Sequence, residues 1–245
     1  MIVERLRRTE RVSVQELVEA TEASDMTVRR DLDSLAAQGV LKRVHGGAVA
    51  AMPSGVEPPY SLRAQAAVAA KQAIAAAAVA HIRDGETIVL DSGTTALEVA
   101  KRLHDRAVTV MPLSLHVAQE LADAPRIRLL MAGGEARKGE LSLVGPLTVA
   151  SLRALRFDLA VLSPCAFSLD AGLTAFDLGD AEVKQEALAV ATRSMVLADG
   201  AKWDRAALAY VCPADRPDLI ITDPTAPEDQ RTMLTQRGVL VEVAT

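Results

Sequence analysis

Residues 24–48 read SDMTVRRDLDSLAAQGVLKRVHGGA, and this stretch decides how the N-terminal part of the chain folds. Ser24 is a strong N-cap residue, so a helix is predicted over 25–38, and Gly39 is expected to end it. Apolar residues recur in this helix at the spacing that places them on one buried face. They are Val28, Leu32 and Leu35. The other faces of the helix are therefore left for solvent or for a partner.

Two shorter helices are predicted before this one, over 2–9 and 14–21. Ser13 and Glu16 have the spacing of a capping box, which supports the start of the second of them. After the third helix, residues 40–47 alternate and then reach a Gly-Gly pair, which predicts a short two-stranded wing. Three helices, a tight turn and a wing predict a winged helix-turn-helix, whose third helix enters the major groove of DNA.

The net charge of the chain is −5, which by itself does not suggest binding to nucleic acid. The distribution of the charges matters more than their sum. Residues 1–48 contain eight basic and eight acidic side chains, so the remaining residues carry the whole net charge. A neutral DNA-binding head on a larger acidic domain has this composition, although an acidic soluble enzyme shares it.

Three regions are predicted: a DNA-binding domain over 1–48, a linker over 49–60 and a domain over 61–245. The third region opens with a long Ala-rich helix at 61–83 and continues as alternating strands and helices. This alternation predicts an α/β fold with a mainly parallel sheet and helices on both faces. The expected strands are 87–91, 107–111, 126–132, 157–163, 194–199, 218–222 and 239–243. The expected helices are 94–104, 114–123, 145–155, 180–192 and 227–236.

Several polar residues of the N-terminal region are candidates for contact with a double-stranded DNA operator. The candidates are Ser24, Thr27, Arg29 and Arg30 on the third helix, and Lys42, Arg43 and His45 on the wing. An arginine can bind guanine O6 and N7 with two hydrogen bonds, whereas wing residues contact backbone or minor groove. The alternative is that Arg29 or Arg30 pairs with Asp25 or Asp33 on a solvated helix face.

In the larger domain, residues 87–95 read TIVLDSGTT, a strand that runs directly into a helix through a turn. Such a turn offers backbone N–H groups and the positive end of the helix to an anion. The carboxyl ends of parallel strands are also where ligands bind in open α/β sheets. A capped turn that binds no ligand is the alternative.

The N-terminal motif resembles the signature of the DeoR/GlpR family of transcription regulators. Residues 24–32 (SDMTVRRDL), Leu35, Gly39 and 42–48 (KRVHGGA) follow its pattern S-x-x-T-I-R-R-D-L…L…G-x-L-x-R-x-H-G-G-A. The helix–helix turn departs from the family, which usually has Leu-Gly where this chain has Thr21-Glu22. Four later segments resemble successive landmarks of the effector domain of that family. They are DSGTTALEVA (91–100), MAGGEARKGELSLVGP (131–146), DAEVKQEAL (180–188) and LADGAKW (197–203).

The resemblance implies a domain similar in fold to ribose-5-phosphate isomerases and coenzyme A transferases, with a phosphorylated sugar or a related metabolite as effector. The effector-binding residues that it implies are Asp91, Ser92, Gly93, Thr94, Thr95, Gly133, Gly134, Lys184 and Lys202. Arg137 and Lys138 would add positive charge for a phosphate, or else are solvated loop charges. The family commonly has an asparagine where this chain has Leu113, and a glycine-rich segment at 163–166, which indicates a shifted ligand preference.

Three further residues of the larger domain have an open role. Glu182 could pair with Lys184 on a helix, which would remove that lysine from the effector site. Asp199 could orient Lys202 or a sugar hydroxyl. Trp203 could floor the site, although a lone tryptophan is more often part of the core.

Two other functions remain open at this point. A sugar-phosphate isomerase or transferase needs a general base near the substrate carbon, but the segment 163–170 offers no convincing pair of carboxylates. A DNA-binding architectural protein with an inert second domain is the other alternative. We therefore expect a repressor, not an enzyme, with repression inferred from the resemblance alone.

The remaining expectations concern location and assembly. No uncharged apolar run is long enough to span a membrane and the first residues lack a signal-peptide pattern, so a cytoplasmic protein is expected. Cys165 and Cys212 are far apart and are expected to be two unpaired thiols. No metal ion or cofactor is expected. A homodimer or a higher homo-oligomer would match a pseudo-palindromic operator.

Overall fold

The computed structural model describes residues 2, 5–6, 11–21, 23–37, 41–50 and 57–245. The chain divides into two compact units, Met1–Pro58 and Pro59–Thr245. Among the helices of these described ranges, none is long and apolar enough to cross a membrane. Gly39, Val40 and Glu22, on which parts of the sequence analysis depend, lie outside the described residues.

Where the structure describes an unbroken stretch of the first unit, it has two helices and three short strands. They are β1 (Arg11–Ser13), α1 (Val14–Thr21), α2 (Asp25–Ala37), β2 (Leu41–Val44) and β3 (Gly47–Ala50). Of the helix expected over 2–9, residues Ile2, Arg5 and Leu6 are described and helical. The capping box is confirmed, because the Glu16 amide donates to Ser13 Oγ over 3.1 Å and the Ser13 amide donates to Glu16 Oε2 over 2.7 Å.

The wing is a three-stranded antiparallel sheet in the order β1-β3-β2, so the expectation of two strands was incomplete. β1 has only three residues, too few for a period of two to stand out in the sequence. Val49 and Ala50, which were expected in the linker, belong to β3. Apolar side chains from the helices and the sheet form one small core. They are Leu6, Val12, Val14, Leu17, Val28, Leu32, Leu41 and Ala48, with Leu35 only partly buried.

The second unit is an α/β domain, as expected. Its helices are α3 (Tyr60–Gln65), α4 (Val68–Ala80), α5 (Thr94–Leu103), α6 (Leu115–Leu121), α7 (Pro146–Arg153), α8 (Leu178–Val190) and α9 (Glu228–Gln236). Its strands are β4 (Thr87–Leu90), β5 (Thr109–Pro112), β6 (Arg128–Leu129), β7 (Glu135–Ala136), β8 (Leu143–Val144), β9 (Phe157–Leu162), β10 (Ala166–Ser168), β11 (Gly172–Ala175), β12 (Ala191–Leu197), β13 (Ala209–Cys212), β14 (Leu219–Thr222) and β15 (Leu240–Val243).

Seven strands form the main sheet in the order β15-β14-β12-β9-β4-β5-β6, and every neighbouring pair is parallel. The strands that follow β4 continue to one side as β5 and β6, and the chain then crosses to β9 on the other side of β4. The order therefore reverses between β4 and β9, and this is the point at which open α/β sheets bind ligands. Buried apolar clusters cover the two faces of the sheet, as its hydrophobic strands require.

The long helix expected over 61–83 is wrong. The structure has two helices there, α3 and α4, separated at Ala67, which adopts a left-handed φ of 51°. The Lys71 ammonium donates to the Arg63 and Ala66 carbonyls, so a buried charge satisfies the carbonyls at the end of α3. Alanine favours an unbroken helix, and nothing local in the sequence signals this break.

Two small sheets were also missed by the sequence analysis. β10, β11 and β13 form an antiparallel sheet, and β7 and β8 form a two-stranded hairpin. Their strands have two to four residues, which is too short for a periodic signal. The expected strand over 126–132 was too long, since β6 includes only two of those residues.

Candidate DNA-binding and effector sites

The N-terminus of α2 is capped by Ser24, whose Oγ accepts the Thr27 amide over 3.2 Å. The two hydroxyls also lie 2.8 Å apart, and both side chains are exposed. Capping orients the first turn of the helix, and that turn is the part of a recognition helix that contacts base edges. Met26, in the same turn, is 80% exposed, which is unusual for a large apolar side chain.

Arg29 and Arg30 differ in their surroundings, although both are exposed. Arg29 Nε donates to Asp25 Oδ1 over 2.5 Å, which is the pairing that the sequence analysis kept as an alternative. The hydrogen bond from Arg29 lowers the pKa of Asp25. Both side chains of this pair are more than half exposed, so their attraction is weak and Arg29 can exchange Asp25 for a phosphate.

The wing places Lys42 and His45 on its exposed surface. Arg43 is engaged within the domain instead, because its Nε lies 2.8 Å from Asp33 Oδ1 and its Nη1 donates to the Gly47 carbonyl over 3.0 Å. In this structure Arg43 therefore joins the wing to α2, a role that the sequence analysis did not give it.

At the reversal point of the main sheet, Asp91 connects the ends of β4 and β9. Its amide donates to the Val161 carbonyl over 3.0 Å, and its Oδ2 accepts the Ser163 amide over 2.8 Å. Its Oδ1 accepts the Ser92 amide over 2.7 Å. The carboxylate is 1% exposed. The carboxylate of Asp91 thus accepts hydrogen bonds from the protein's own amides and holds the backbone of the turn in place.

Lys184 completes this buried network. Its Nζ lies 2.9 Å from Asp91 Oδ1 and 2.9 Å from both carboxylate oxygens of Asp180. Burial opposes the charge on Lys184, but the two carboxylates outweigh it and raise its pKa. Burial raises the pKa of Asp91, and the ammonium works against that rise. The alternative pairing of Lys184 with Glu182 is not formed, because Glu182 is exposed and Lys184 is bonded to Asp91 and Asp180.

The turn itself, residues 91–95, which we call the β4 turn, leaves a helix end uncapped. Gly93 is the N-cap of α5, and no side-chain cap bond is formed there among the described residues. Its φ of 100° is a conformation that only glycine adopts readily. A Cβ at Gly93 would meet Ser163 Cβ at 3.8 Å and Arg63 Nη1 at 3.9 Å. The space in front of the turn is therefore bounded by a hydroxyl residue and a guanidinium.

Thr94 and Thr95, which follow in the first turn of α5, are both buried. Ser92 is half-buried. The hydroxyl of Ser163, across the space in front of Gly93, is buried and has no hydrogen-bond partner among the described residues. A buried polar group without a partner is rare in proteins.

Arg63 and Tyr60 lie on α3 and were missed by the sequence analysis. The Arg63 guanidinium carbon lies 5.7 Å from the centre of the Tyr60 ring, and this ring stacks on His116 at 4.2 Å. Arg63 also forms an ion pair with Glu140. Arg63 was expected in one long helix over 61–83 and Tyr60 in the linker, and no sequence signal singled them out.

The loop after β6 carries the remaining candidates. Gly134 has a φ of 99°, and a Cβ there would lie 1.9 Å from Thr148 Oγ1, so glycine is required for packing. Thr148 Oγ1 donates to the Gly133 carbonyl over 2.8 Å. Arg137 Nε lies 3.5 Å from Asp177, whereas Lys138 is exposed. The two glycines thus shape the loop, and Arg137 and Lys138 supply its positive charge.

After β12, the chain places Lys202 and Trp203 in different surroundings. Asp199 Oδ1 accepts the Ala201 amide over 3.1 Å and so caps the turn that carries Lys202, a half-buried side chain. Trp203 is buried, donates to Thr222 Oγ1 over 3.1 Å and packs edge-on against Phe167. Trp203 is therefore part of the core, which is the alternative given in the sequence analysis, and it does not line a ligand site.

Positive charge collects near the space in front of the β4 turn. Lys71 is 4% exposed, and burial lowers its pKa to about 8, with Asp199 raising it and Lys202 and Arg63 lowering it. Lys202 and Arg63 are therefore both close enough to Lys71 to lower its pKa. Within the described part of the chain, no group of histidines, cysteines and carboxylates has the arrangement of a metal site.

Both regions of the chain match known protein families. The model of the DeoR-like helix-turn-helix domain matches residues 1–53, and that of the DeoR C-terminal sensor domain matches residues 66–224. The transcriptional repressor AccR of Agrobacterium fabrum is 34% identical over 224 residues, covering 91% of this chain and 87% of the relative. The glycerol-3-phosphate regulon repressor of Escherichia coli is 30% identical over 244 residues, covering 99% and 96%.

Among solved structures, the ribose 5-phosphate isomerase A of Methanocaldococcus jannaschii resembles the chain with a TM-score of 0.41 and 19% sequence identity. The similarity covers 54% of this chain and 53% of the isomerase.

Proposed function

Because the chain belongs to the DeoR family of DNA-binding transcriptional regulators, we propose that it represses a sugar or carbon-metabolism operon and that a phosphorylated metabolite relieves the repression. The first unit binds operator DNA and the second unit binds the metabolite. The names of the relatives support the repressor role, since both are repressors and one controls a glycerol-3-phosphate regulon.

In the DNA-binding unit, the exposed first turns of α2 approach the major groove. Thr27 and Arg30 are the residues that we assign to base edges, because their side chains are exposed beside the capped helix end. Arg29 contacts a phosphate after leaving Asp25, and Lys42 and His45 contact the backbone from the wing. Arg43 positions the wing through its contacts with Asp33 and Gly47.

The observation that carries the effector proposal is the uncapped helix end at Gly93, bounded by Arg63 and by the unpartnered Ser163 hydroxyl. Backbone N–H groups at a helix N-terminus, an arginine and a hydroxyl together recognise a phosphate. Lys71 and Lys202 add positive charge behind these groups. The ligand therefore contacts the backbone amides from Gly93 to Thr95, since the Ser92 amide is already bonded to Asp91.

The buried residues of the effector site take a positioning role in this proposal. Asp91 and Lys184 are bonded to each other and lie beneath the β4 turn, so they hold its backbone instead of contacting the ligand. Gly133 and Gly134 shape the neighbouring loop. Arg137 and Lys138 set the charge at its rim. Leu113 stands where the family commonly has an asparagine. It is apolar and 1% exposed, so it offers no hydrogen bond to a hydroxyl group of the ligand.

We propose that ligand binding is not followed by turnover. Isomerisation needs a base beside the substrate carbon. Asp170, the carboxylate of the segment 163–170, is exposed, and Asp91 and Asp180 are already bonded to Lys184. Ligand recovered unchanged after incubation with the protein supports a sensor, and a converted product contradicts this part of the proposal.

The test of the effector site is thermal unfolding with glycerol 3-phosphate, ribose 5-phosphate, fructose 6-phosphate and the unphosphorylated compounds. A ligand at about 100 times its Kd stabilises the folded state by about 2.7 kcal/mol, which raises Tm by about 5–10 °C in a protein of this size. We expect such a shift from at least one phosphorylated compound and not from its unphosphorylated partner.

Gly93→Ala is the variant that tests the site itself. The added methyl group strains a backbone with φ of 100° and lies between Ser163 and Arg63, where the anion would sit. Gly85→Ala is a matched control, because Gly85 has a φ of 90° but faces open space. Both variants should lose about 1–3 kcal/mol of stability from strain. Only Gly93→Ala should lose the ligand-induced shift, and an equal shift in both variants would place the ligand elsewhere.

A further inference from the structure

We propose that the ion pair between Arg63 and Glu140 is an internal clasp that the effector opens. In this proposal, which rests on the proposed function, the anionic group of the effector takes the place of the Glu140 carboxylate on Arg63. Arg63 is then an effector-binding residue, and Glu140 is a built-in competitor that sets how much effector is needed. The family landmarks quoted above do not include Arg63, and they give Glu140 no role.

The position of Arg63 supports this exchange. Its Nη2 bonds Glu140 Oε2, while its Nη1 lies 3.9 Å from the point that a Cβ on Gly93 would occupy. One guanidinium therefore faces both the carboxylate and the uncapped helix end. Arginine binds a phosphate with two parallel hydrogen bonds, so an anion held by the amides of α5 also comes within reach of this side chain.

The burial of the pair makes the competition effective. The Arg63 and Glu140 side chains are 15% and 13% exposed, so solvent screens their attraction less than that of a surface pair. Glu140 partly cancels the charge of Arg63. An anion must therefore displace a paired carboxylate before it gains the full attraction of the site.

The backbone on the Glu140 side of the clasp is fixed. Glu140 lies in the tight turn between β7 and β8, where the Leu141 amide donates to the Arg137 carbonyl over 2.8 Å. The Leu115 amide, at the start of α6, donates to the Leu141 carbonyl over 2.9 Å. The exchange therefore moves the side chain of Glu140 while the backbone of its turn stays in place.

The helix on the Arg63 side of the clasp, α3, is only partly buried. α3 has no buried residue, and polar groups hold it in place: the Arg63 ion pair, the stacking of Tyr60 on His116 and the Lys71 ammonium on its last carbonyls. A helix attached in this way can shift without exposing a hydrophobic core. In the order of the described elements, α3 is the first helix after β3, so an exchange at Arg63 acts on the start of the second unit.

The experiment measures the Kd of inorganic phosphate, and of the phosphorylated compound that stabilises the wild-type protein, by isothermal titration. Glu140→Gln removes the competitor, so its Kd should fall about 5–10-fold. Arg63→Gln removes the shared partner, so its Kd should rise at least about 10-fold. In the double variant the gain from Glu140→Gln should vanish, because the two residues act through one interaction.

Two controls keep the result specific. Glu86→Gln removes a carboxylate that is also 13% exposed and paired with an arginine, but at the amino end of β4, and it should leave the Kd unchanged. Arg63→Lys keeps the positive charge but cannot form two parallel hydrogen bonds, so it should weaken binding less than Arg63→Gln. It also serves as the second variant if Arg63→Gln folds poorly. If the wild type binds but Glu140→Gln binds no tighter, or Arg63→Gln binds equally well, the clasp is refuted. If neither compound nor any other of the phosphorylated panel binds the wild type, the proposed function fails instead.

Discussion

At the scale of single residues, burial destabilises the charged form of Lys71. It is 4% exposed, and it donates to two backbone carbonyls at the end of α3 without a carboxylate in hydrogen-bond contact among the described residues. Burial of an ammonium without a bonded carboxylate destabilises the charged form, which lowers the pKa to about 8 from the usual 10.5. Proteins tolerate such a cost mainly where the charge serves a function, and here the charge lies near Arg63 and Lys202.

This lowered pKa predicts a pH dependence of stability. Between pH 8 and pH 10.5 the unfolded state binds the Lys71 proton and the folded state has released it, so the free energy of unfolding rises with pH. The difference between wild type and Lys71→Met should therefore move in favour of the wild type by at most about 3 kcal/mol across this range. Urea unfolding at several pH values measures it.

Lys101→Met is the matched control for that measurement, because Lys101 is a largely exposed helix lysine paired with Glu98. Its difference from the wild type should stay flat over the same pH range. A flat curve for Lys71→Met as well would mean that Lys71 does not lose its proton early in the folded protein.

At the scale of elements, α2 and the wing offer two kinds of contact with DNA. Arg30 and Lys42 are both exposed. In the proposed complex, Arg30 lies on the helix that enters the major groove, and Lys42 lies on the wing that follows the DNA backbone. Base contacts specify sequence, whereas phosphate contacts supply affinity that depends on salt. The two residues should therefore differ in what their loss does to binding.

Arg30→Ala should weaken binding to the preferred sequence by about 1–3 kcal/mol and relax the preference at one base position. Lys42→Ala should weaken binding to all sequences about equally and reduce the salt slope by about one. The DNA is the sequence that the wild-type protein selects from a random pool, and fluorescence anisotropy at about 50–200 mM salt measures the affinity. An unchanged base preference in Arg30→Ala would refute the base contact.

The break between α3 and α4 shows how one element depends on the tertiary structure. Ala67 adopts a left-handed φ of 51°, which costs an alanine about 1–2 kcal/mol. Lys71, four residues later, offsets this cost by satisfying the carbonyls that the break exposes. The break changes the direction of α3. As a result, Arg63 lies within 4 Å of the point that a Cβ on Gly93 would occupy.

At the scale of the whole molecule, the regulator must couple the binding of DNA to the binding of the effector. A ligand that changes DNA affinity does so only by binding two states of the protein with different free energies, usually by 1–3 kcal/mol. Linkage requires that the effect is reciprocal. If the effector lowers the affinity for operator DNA by some factor, operator DNA lowers the affinity for the effector by the same factor.

We therefore expect the phosphorylated compound to lower operator affinity by about 5–150-fold in the wild-type protein. Titration of the compound into the protein–DNA complex should show its Kd raised by a matching factor. Gly93→Ala should keep its operator affinity and lose both effects, since its DNA-binding residues are intact. A DNA affinity that does not change with effector would refute the switch, even if both ligands bind.

The sequence by itself determined the winged helix-turn-helix, the parallel α/β sheet and the β4 turn. Each of these depends on local chemistry: a cap residue, a periodic apolar face, or a glycine between a strand and a helix. The tertiary structure decided which of the candidate residues can meet a ligand. Asp91 and Lys184 were selected with the turn but lie beneath it in one ion network, because a buried charge must find a buried partner.

Arg63 and Glu140 show the opposite case, since Arg63 lies outside every quoted motif and the landmark segment that contains Glu140 gave it no role. Arg63 and Glu140 lie 77 residues apart in the chain and meet only because a helix break and a hairpin turn bring them to the same strand ends. Local propensity describes neighbours along the chain, whereas a binding site is made of neighbours in space. That difference is why the fold could be predicted from this sequence and the composition of its site could not.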